Sequence, residues 1–240
     1  MGGRRCQTVA HPITQHKFHA LPGCRRGFLF FELQRFRKVQ PKKRLKGGDL
    51  NLRIAITGTH GVGKTTLAQA LSEKLGLPLI SEQARLVAEE MGIKTCEELL
   101  RNPKLAREFQ ERVLEEQIKA QLAHPQGFVS DRCTLDCIAY WNLYLGDGFD
   151  AGRYFYKARL HAFRGLDAVV YVPPDVLSNS DGFRLSGNHA EVDACIRREV
   201  GLLRECSGER VLYLLEGVGP GERLAAVLEF VRSKNFLTGS

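Results

Sequence analysis

Gly58-Thr59-His60-Gly61-Val62-Gly63-Lys64-Thr65 is the stretch on which the fold turns. It satisfies G-x-x-x-x-G-K-[ST] at each fixed position. Its surroundings matter as much. Leu52-Arg53-Ile54-Ala55-Ile56-Thr57 reads as a buried strand, and Thr65 through Leu75 reads as a helix. Strand, glycine loop and helix together make a phosphate cradle. The N–H groups of Gly58, Thr59, His60, Gly61, Val62 and Gly63 turn inward on a polyphosphate, and the helix N-terminus adds its partial positive charge. Lys64 then reaches the β- and γ-phosphates of ATP, and Thr65 holds Mg²⁺. Thr66 stands beside them in the same nucleotide site.

Outward from the loop, strands and helices alternate. Leu77–Ser81 reads as a short second strand, and Glu82–Met91 as a helix closed by Gly92. Thr95 has the position of an N-cap, with Glu98 completing a capping box. Asn102-Pro103 breaks the chain and starts a longer helix through about Ala123. Phe128–Asp131 reads as a third strand, Thr134–Leu145 and Tyr154–Phe163 as helices, and Ala168–Val172 as the strongest strand. Residues 175–187 are polar, without an apolar period. His189–Cys206, Arg210–Leu214 and Pro220–Val231 read as helix, strand and helix. This alternation predicts an α/β fold with a parallel sheet covered on both faces.

The chain has 240 residues, enough for one α/β domain with a tail, and no apolar run of membrane-spanning length. Its net charge of +8 divides unevenly. Residues 1–50 carry twelve Lys and Arg against Glu32 and Asp49, whereas residues 51–240 carry 23 bases and 25 acids. The expected organisation is a basic extension over 1–50 and a near-neutral phosphotransferase or ATPase domain over 51–240. A basic arm for nucleic acid or an anionic surface fits the extension. A transit peptide fits less well, because the segment lacks serine. A start codon assigned too far upstream is the favoured reading, with disorder expected. The seven cysteines are scattered and odd in number, and no secretory signal precedes them, so a reduced, cytoplasmic setting is expected. Cys133 and Cys137 share a helix face; with no matching second ligand pair they read as small buried side chains rather than a zinc site.

Ligands of open parallel sheets bind beyond the carboxyl ends of the strands. That rule selects the glycine loop, Glu82, Asp131-Arg132 and the polar stretch after Pro174. Asp131 ends an apolar strand, where an acid organises Mg²⁺; the bland reading is a helix N-cap. Arg132 has the planar fork for phosphate or acceptor, and a surface salt bridge is its alternative. Glu82 is placed to orient an acceptor hydroxyl or take its proton, or else to pair with Arg85 one turn on. Arg184, in Asp181-Gly182-Phe183-Arg184, is positioned to close over developing charge, with Arg197 and Arg198 following on the next helix.

Taken in order, Ile56–Leu67, Ser81-Glu82-Gln83-Ala84-Arg85, Phe109-Gln110, Asp131-Arg132, Asp181–Arg184 and Glu216–Arg223 resemble a known group. It is the small P-loop ATPase/kinase family that includes the nicotinamide riboside kinase domain of bacterial NAD-regulatory proteins. Deoxynucleoside kinases and thymidylate kinase are more distant. The resemblance spans about residues 52–232. It implies a three-layer P-loop NTPase fold, a five-stranded sheet of order 2-3-1-4-5 and a mobile lid. It implies that Glu82 faces the acceptor, Gln110 the base of a nucleoside, and Arg184 the lid. It also implies that Gly217–Arg223, with Gly217 and Arg223 in the nucleotide site, lies beside adenine. Where deoxynucleoside kinases have Glu-Arg-Ser, this chain has Asp131-Arg132-Cys133.

The expected catalytic set is therefore Lys64, Glu82, Asp131, Arg132 and Arg184, with Thr65 and Asp131 on the metal. The leading function is transfer of the γ-phosphoryl of ATP to a small acceptor, a nucleoside or nucleotide. The alternative is a regulatory ATPase acting through a protein or nucleic-acid partner. A near-neutral body without an aromatic-basic stacking surface weighs against nucleic acid, except through the basic tail.

Overall fold

β1 (Leu52–Thr57) is the middle strand of a five-stranded, all-parallel sheet of order β2-β3-β1-β4-β5. The others are β2 (Leu79–Ile80), β3 (Gly127–Asp131), β4 (Ala168–Tyr171) and β5 (Val211–Tyr213). The computed structural model describes residues 51–146, 151–174, 188–214 and 216–234. The basic segment 1–50 and the stretch carrying Arg184 lie outside the described residues. The helices are α1 (Lys64–Leu75), α2 (Gln83–Glu90), α3 (Cys96–Arg101), α4 (Pro103–Leu122), α5 (Thr134–Leu145), α6 (Gly152–Gly165), α7 (His189–Ser207) and α8 (Pro220–Ser233). No described helix is long and apolar enough to cross a membrane.

The period-two alternation of the central strands divides the interior into two cores. Leu52, Ile54 and Ile56 of β1, with Val129 and Val170, face α1 and α8 through Leu67, Leu71, Val227 and Val231. Ala55, Phe128, Val169 and Tyr171 face the other way, toward α2 to α7, where Trp141, Ile138, Leu114 and Ile196 fill the layer. Strands apolar on both faces are what a doubly covered parallel sheet demands.

Register then sets the site. Ile56 lies opposite Asp131 and Val170, so β1, β3 and β4 end at one level. The Arg132 N–H donates to Ile56 O at 3.0 Å, and Val172 N–H to Thr57 O at 2.8 Å. Local signals fix the helix starts nearby. Glu98 Oε1 accepts from Thr95 N–H at 3.0 Å, and Asn102 Oδ1 from Leu105 N–H at 3.2 Å. β2 is shorter than its apolar run suggests, because an edge strand has a partner on one side only, here β3.

Candidate active site

β1 delivers the chain into the glycine loop through a backbone that only glycine accepts. Gly58 has φ +139°, and a Cβ there would sit 2.3 Å from Val172 O. Gly63, at φ 85°, precedes α1 without a side-chain cap, and no acid stands in the first turn. The N-terminus of α1, with no acid in its first turn, suits an anion. Lys64 is buried, and its ammonium donates to Thr59 O within the loop. Beneath the loop, Arg223 Nη1 donates to Val62 O at 2.8 Å. This buried guanidinium reaches from the first turn of α8 and braces the loop directly. Gly217, at φ 74°, lies in the exposed turn leading to that helix.

The end of β3 brings the acid to the loop. Thr65 Oγ1 donates to Asp131 Oδ2 at 2.6 Å. Asp131 is almost fully buried, and its Oδ1 has no hydrogen-bond partner among the described residues. A hydroxyl and a carboxylate side by side, with one buried oxygen unsatisfied, are the hard oxygen donors that suit Mg²⁺. Among the described residues there is no cluster of three His, Cys, Asp or Glu for an all-protein metal site.

Arg132 joins the two halves of the site. It is buried, not the surface ion pair that its sequence position also allows. Its Nη2 lies 3.0 Å from Glu82 Oε1, and its Nε donates to the same oxygen at 3.1 Å. Its Nη1 donates to Gly58 O at 3.3 Å and lies 3.7 Å from Asp136 Oδ2. Burial opposes its charge, but Tyr140, Glu82, Asp136 and Asp131 raise its pKa well above the usual value, so it stays a cation. Glu82 also accepts from Arg85 Nε through Oε2 at 3.1 Å, so the i, i+3 pair forms alongside the long-range one.

Asp136 is a participant that the sequence reading missed. It accepts from the Thr57 hydroxyl, and from Cys133 N–H at 3.2 Å as the third residue of α5. Burial pushes its carboxyl up, while Arg132, the Thr57 bond and Lys64 hold it down. An acid three residues into a predicted helix was the available signal; that it reaches Thr57 across the sheet is a tertiary fact. His60 is likewise more than a loop residue. Its ring packs on His189 at 3.7 Å between centroids, and its Nδ1 lies 3.4 Å from Tyr140 Oη.

Beside this constellation lies a cleft of about 590 Å³, counted out to open solvent. Phe109, Val113, Tyr140 and Tyr144 make its apolar walls; Glu82, Gln110, Arg132 and Asp136 place polar groups in it. Gln110 is 2% exposed and lines this cleft. Cys133 and Cys137 are also on this wall. Burial pushes the Cys137 thiol up to about 12 and raises Cys133 further, so both are neutral.

A family model described as an AAA domain matches residues 53–209. No curated protein sequence matches. Among solved structures, the NadR protein in complex with NR is similar at 22% identity and a TM-score of 0.62, over 77% of this chain and 51% of that one. The NadR protein in complex with NAD and AMP-PNP is similar at 18% identity and 0.61, over 80% and 51%. Deoxyadenosine kinase from M. mycoides is similar at 16% identity and 0.57, over 76% and 100%. The chain spans about half the length of the NadR chains. These likenesses establish the kinase-like P-loop fold, with the strand order that the resemblance implied.

Proposed function

The chain belongs to the AAA-domain family, and from that premise we propose that it transfers the γ-phosphoryl group of ATP to a hydroxyl of a small acceptor, a nucleoside or nucleotide. The observation that carries this reading is Arg132, which touches the glycine loop at Gly58 and the acceptor-side Glu82 with one guanidinium. A nucleotide switch needs no such cleft opening beside its phosphate loop. A cleft with aromatic walls and a few convergent polar groups suits a ring-bearing molecule. Gln110 is the group that would read its ring edge.

In this reading, Lys64 and the loop N–H groups hold the β- and γ-phosphates. Thr65 and Asp131 would hold Mg²⁺, which supplies charge neutralisation at the phosphate oxygens. Glu82 orients the acceptor hydroxyl and takes its proton as the oxygen attacks phosphorus in line with the departing ADP oxygen. Arg132 stays charged and opposes the negative charge spread over the transferred group. Asp136 fixes Arg132 from behind, and Arg184 is assigned to the same charge from the stretch after β4.

The test separates acceptor chemistry from nucleotide binding. Nucleosides and nucleotides are screened by thermal shift with an ATP analogue, and the best is used as acceptor. Glu82→Gln is expected to keep ATP affinity by calorimetry and to lose transfer by about a hundred- to ten-thousand-fold, the range of general-base effects. Lys64→Ala is expected to lose ATP turnover altogether while keeping its fold. Full transfer by Glu82→Gln would remove that residue from the mechanism. ATP affinity without any phosphorylated acceptor would replace this reading with the regulatory ATPase.

A further inference from the structure

Behind Arg132 lies a buried polar network, one member of which, Gln117, also lines the cleft. Arg132 is the one described non-glycine residue with positive φ, at 109°. Side-chain-bearing residues rarely adopt this conformation, and it persists where the surroundings impose it. The residue two positions before it, Ser130, supplies the imposing group. Ser130 Oγ accepts from Gln117 Nε2 at 2.9 Å and from Gln121 Nε2 at 3.1 Å. A hydroxyl has two lone pairs and one proton. With both lone pairs engaged, the proton is left for the Arg132 carbonyl, which Ser130 Oγ meets at 2.9 Å. All three residues are buried.

The outer end of the network is fixed as well. With Gln121 Nε2 turned to Ser130, its Oε1 faces His161 Nε2 at 2.8 Å. His161, neutral in this setting, donates that hydrogen bond. On its other side Arg132 is tied through N–H to Ile56 O at 3.0 Å. The Arg132 backbone is therefore held at both its N–H and its C=O, and its side chain leaves toward Gly58, Glu82 and Asp136.

We propose that Ser130, Gln117 and Gln121 are positioning residues: two amides on α4 set the direction of one hydroxyl, which locks the Arg132 backbone in its positive-φ turn and so aims the guanidinium into the acceptor cleft. The functional consequence rests on the phosphotransferase reading; the structural consequence does not. The design explains why three polar side chains stand in the layer between α4 and β3 where apolar ones would pack equally well. A half-satisfied hydroxyl there would be costly, and Ser130 Oγ has two donors and one acceptor around it.

The experiment reads Arg132 directly. In the native chain its Nε–H, buried and bonded to Glu82, gives a protected NMR signal, assigned by its loss in Arg132→Lys. Ser130→Ala is expected to lower that protection by about tenfold or more, as for any buried group released to local opening. Transfer to acceptor should fall by about the same factor or more, with ATP affinity less affected, since small misplacement of a reacting group is costly. Ser130→Thr, which keeps the hydroxyl, should restore both. Unchanged Arg132 protection in Ser130→Ala overturns the proposal. If Ser130→Ala does not fold, Gln121→Met serves, with a smaller loss of protection expected and unchanged protection again overturning it. Absence of any phosphorylated acceptor in the native chain would sink the kinase reading, while the NMR result would still decide this one.

Discussion

Arg223 shows how much a single residue's role depends on where its side chain goes. The family likeness puts it beside adenine; its guanidinium, from the first turn of α8, meets Val62 O at 2.8 Å, under the phosphate loop. It also stands 3.9 Å from where a Cβ would be at Gly63. A charged donor on a loop carbonyl fixes the orientation of neighbouring peptides, whose N–H groups are the proposed phosphate ligands. Hydrogen bonds involving charged groups contribute about 1.5–3 kcal/mol, so Arg223→Ala should weaken ATP by roughly ten- to a hundredfold. Calorimetry with ATP and GTP separates two causes. Loss of loop order weakens both nucleotides alike; loss of an adenine contact weakens ATP alone. Unchanged affinity for both would leave Arg223 a merely structural residue.

At the scale of elements, α4 and α6 carry a pH dependence through His161. Burial lowers its pKa from 6.5 to about 4, with Arg53 and Lys157 adding to the effect. The folded pKa is below the unfolded one, so protons bind the unfolded chain more readily. Its contribution to stability is therefore complete above about pH 6.5 and is lost as pH falls through about 4. Thermal midpoints measured across that window should drop more steeply for the native chain than for His161→Gln, which cannot gain a charge. Parallel curves would show that His161 titrates as it does in the unfolded chain. The same helix pair explains why α4 does not read as a simple amphipathic stripe. Gln110, Gln117 and Gln121 are buried at helical spacing among Phe109, Val113 and Leu114, and serve the cleft and β3 rather than solvent.

At the scale of the molecule, the sheet keeps two independent apolar layers, and both begin at β1. The basic segment before it carries no apolar period in its sequence. Deleting residues 1–48 is expected to leave the thermal midpoint and ATP affinity as they are in the full chain. A fall in either would make the segment part of the domain. Loss of salt-sensitive binding to DNA or RNA, with stability intact, would instead assign it to an electrostatic arm.

The sequence by itself determined the order and kind of the elements, because these depend on local signals. Alternating Leu52, Ile54 and Ile56 in β1, the Val169-Val170 run in β4, the Thr95–Glu98 box and the Asn102-Pro103 start all act within a few residues. It also determined the phosphate loop, whose glycines answer to one backbone geometry, and the ends of β1 and β3 at Thr57 and Asp131. Strand order came with the family likeness rather than from any residue pattern. Only the tertiary structure decided partners across the sheet. That Arg132 turns inward to Glu82, that Asp136 reaches back to Thr57, that Arg223 braces Val62 and that Ser130 holds the Arg132 carbonyl are long-range or conformational outcomes. A buried polar side chain must be satisfied by whatever the packed layers bring within about 3 Å, and local sequence carries no record of which group that is.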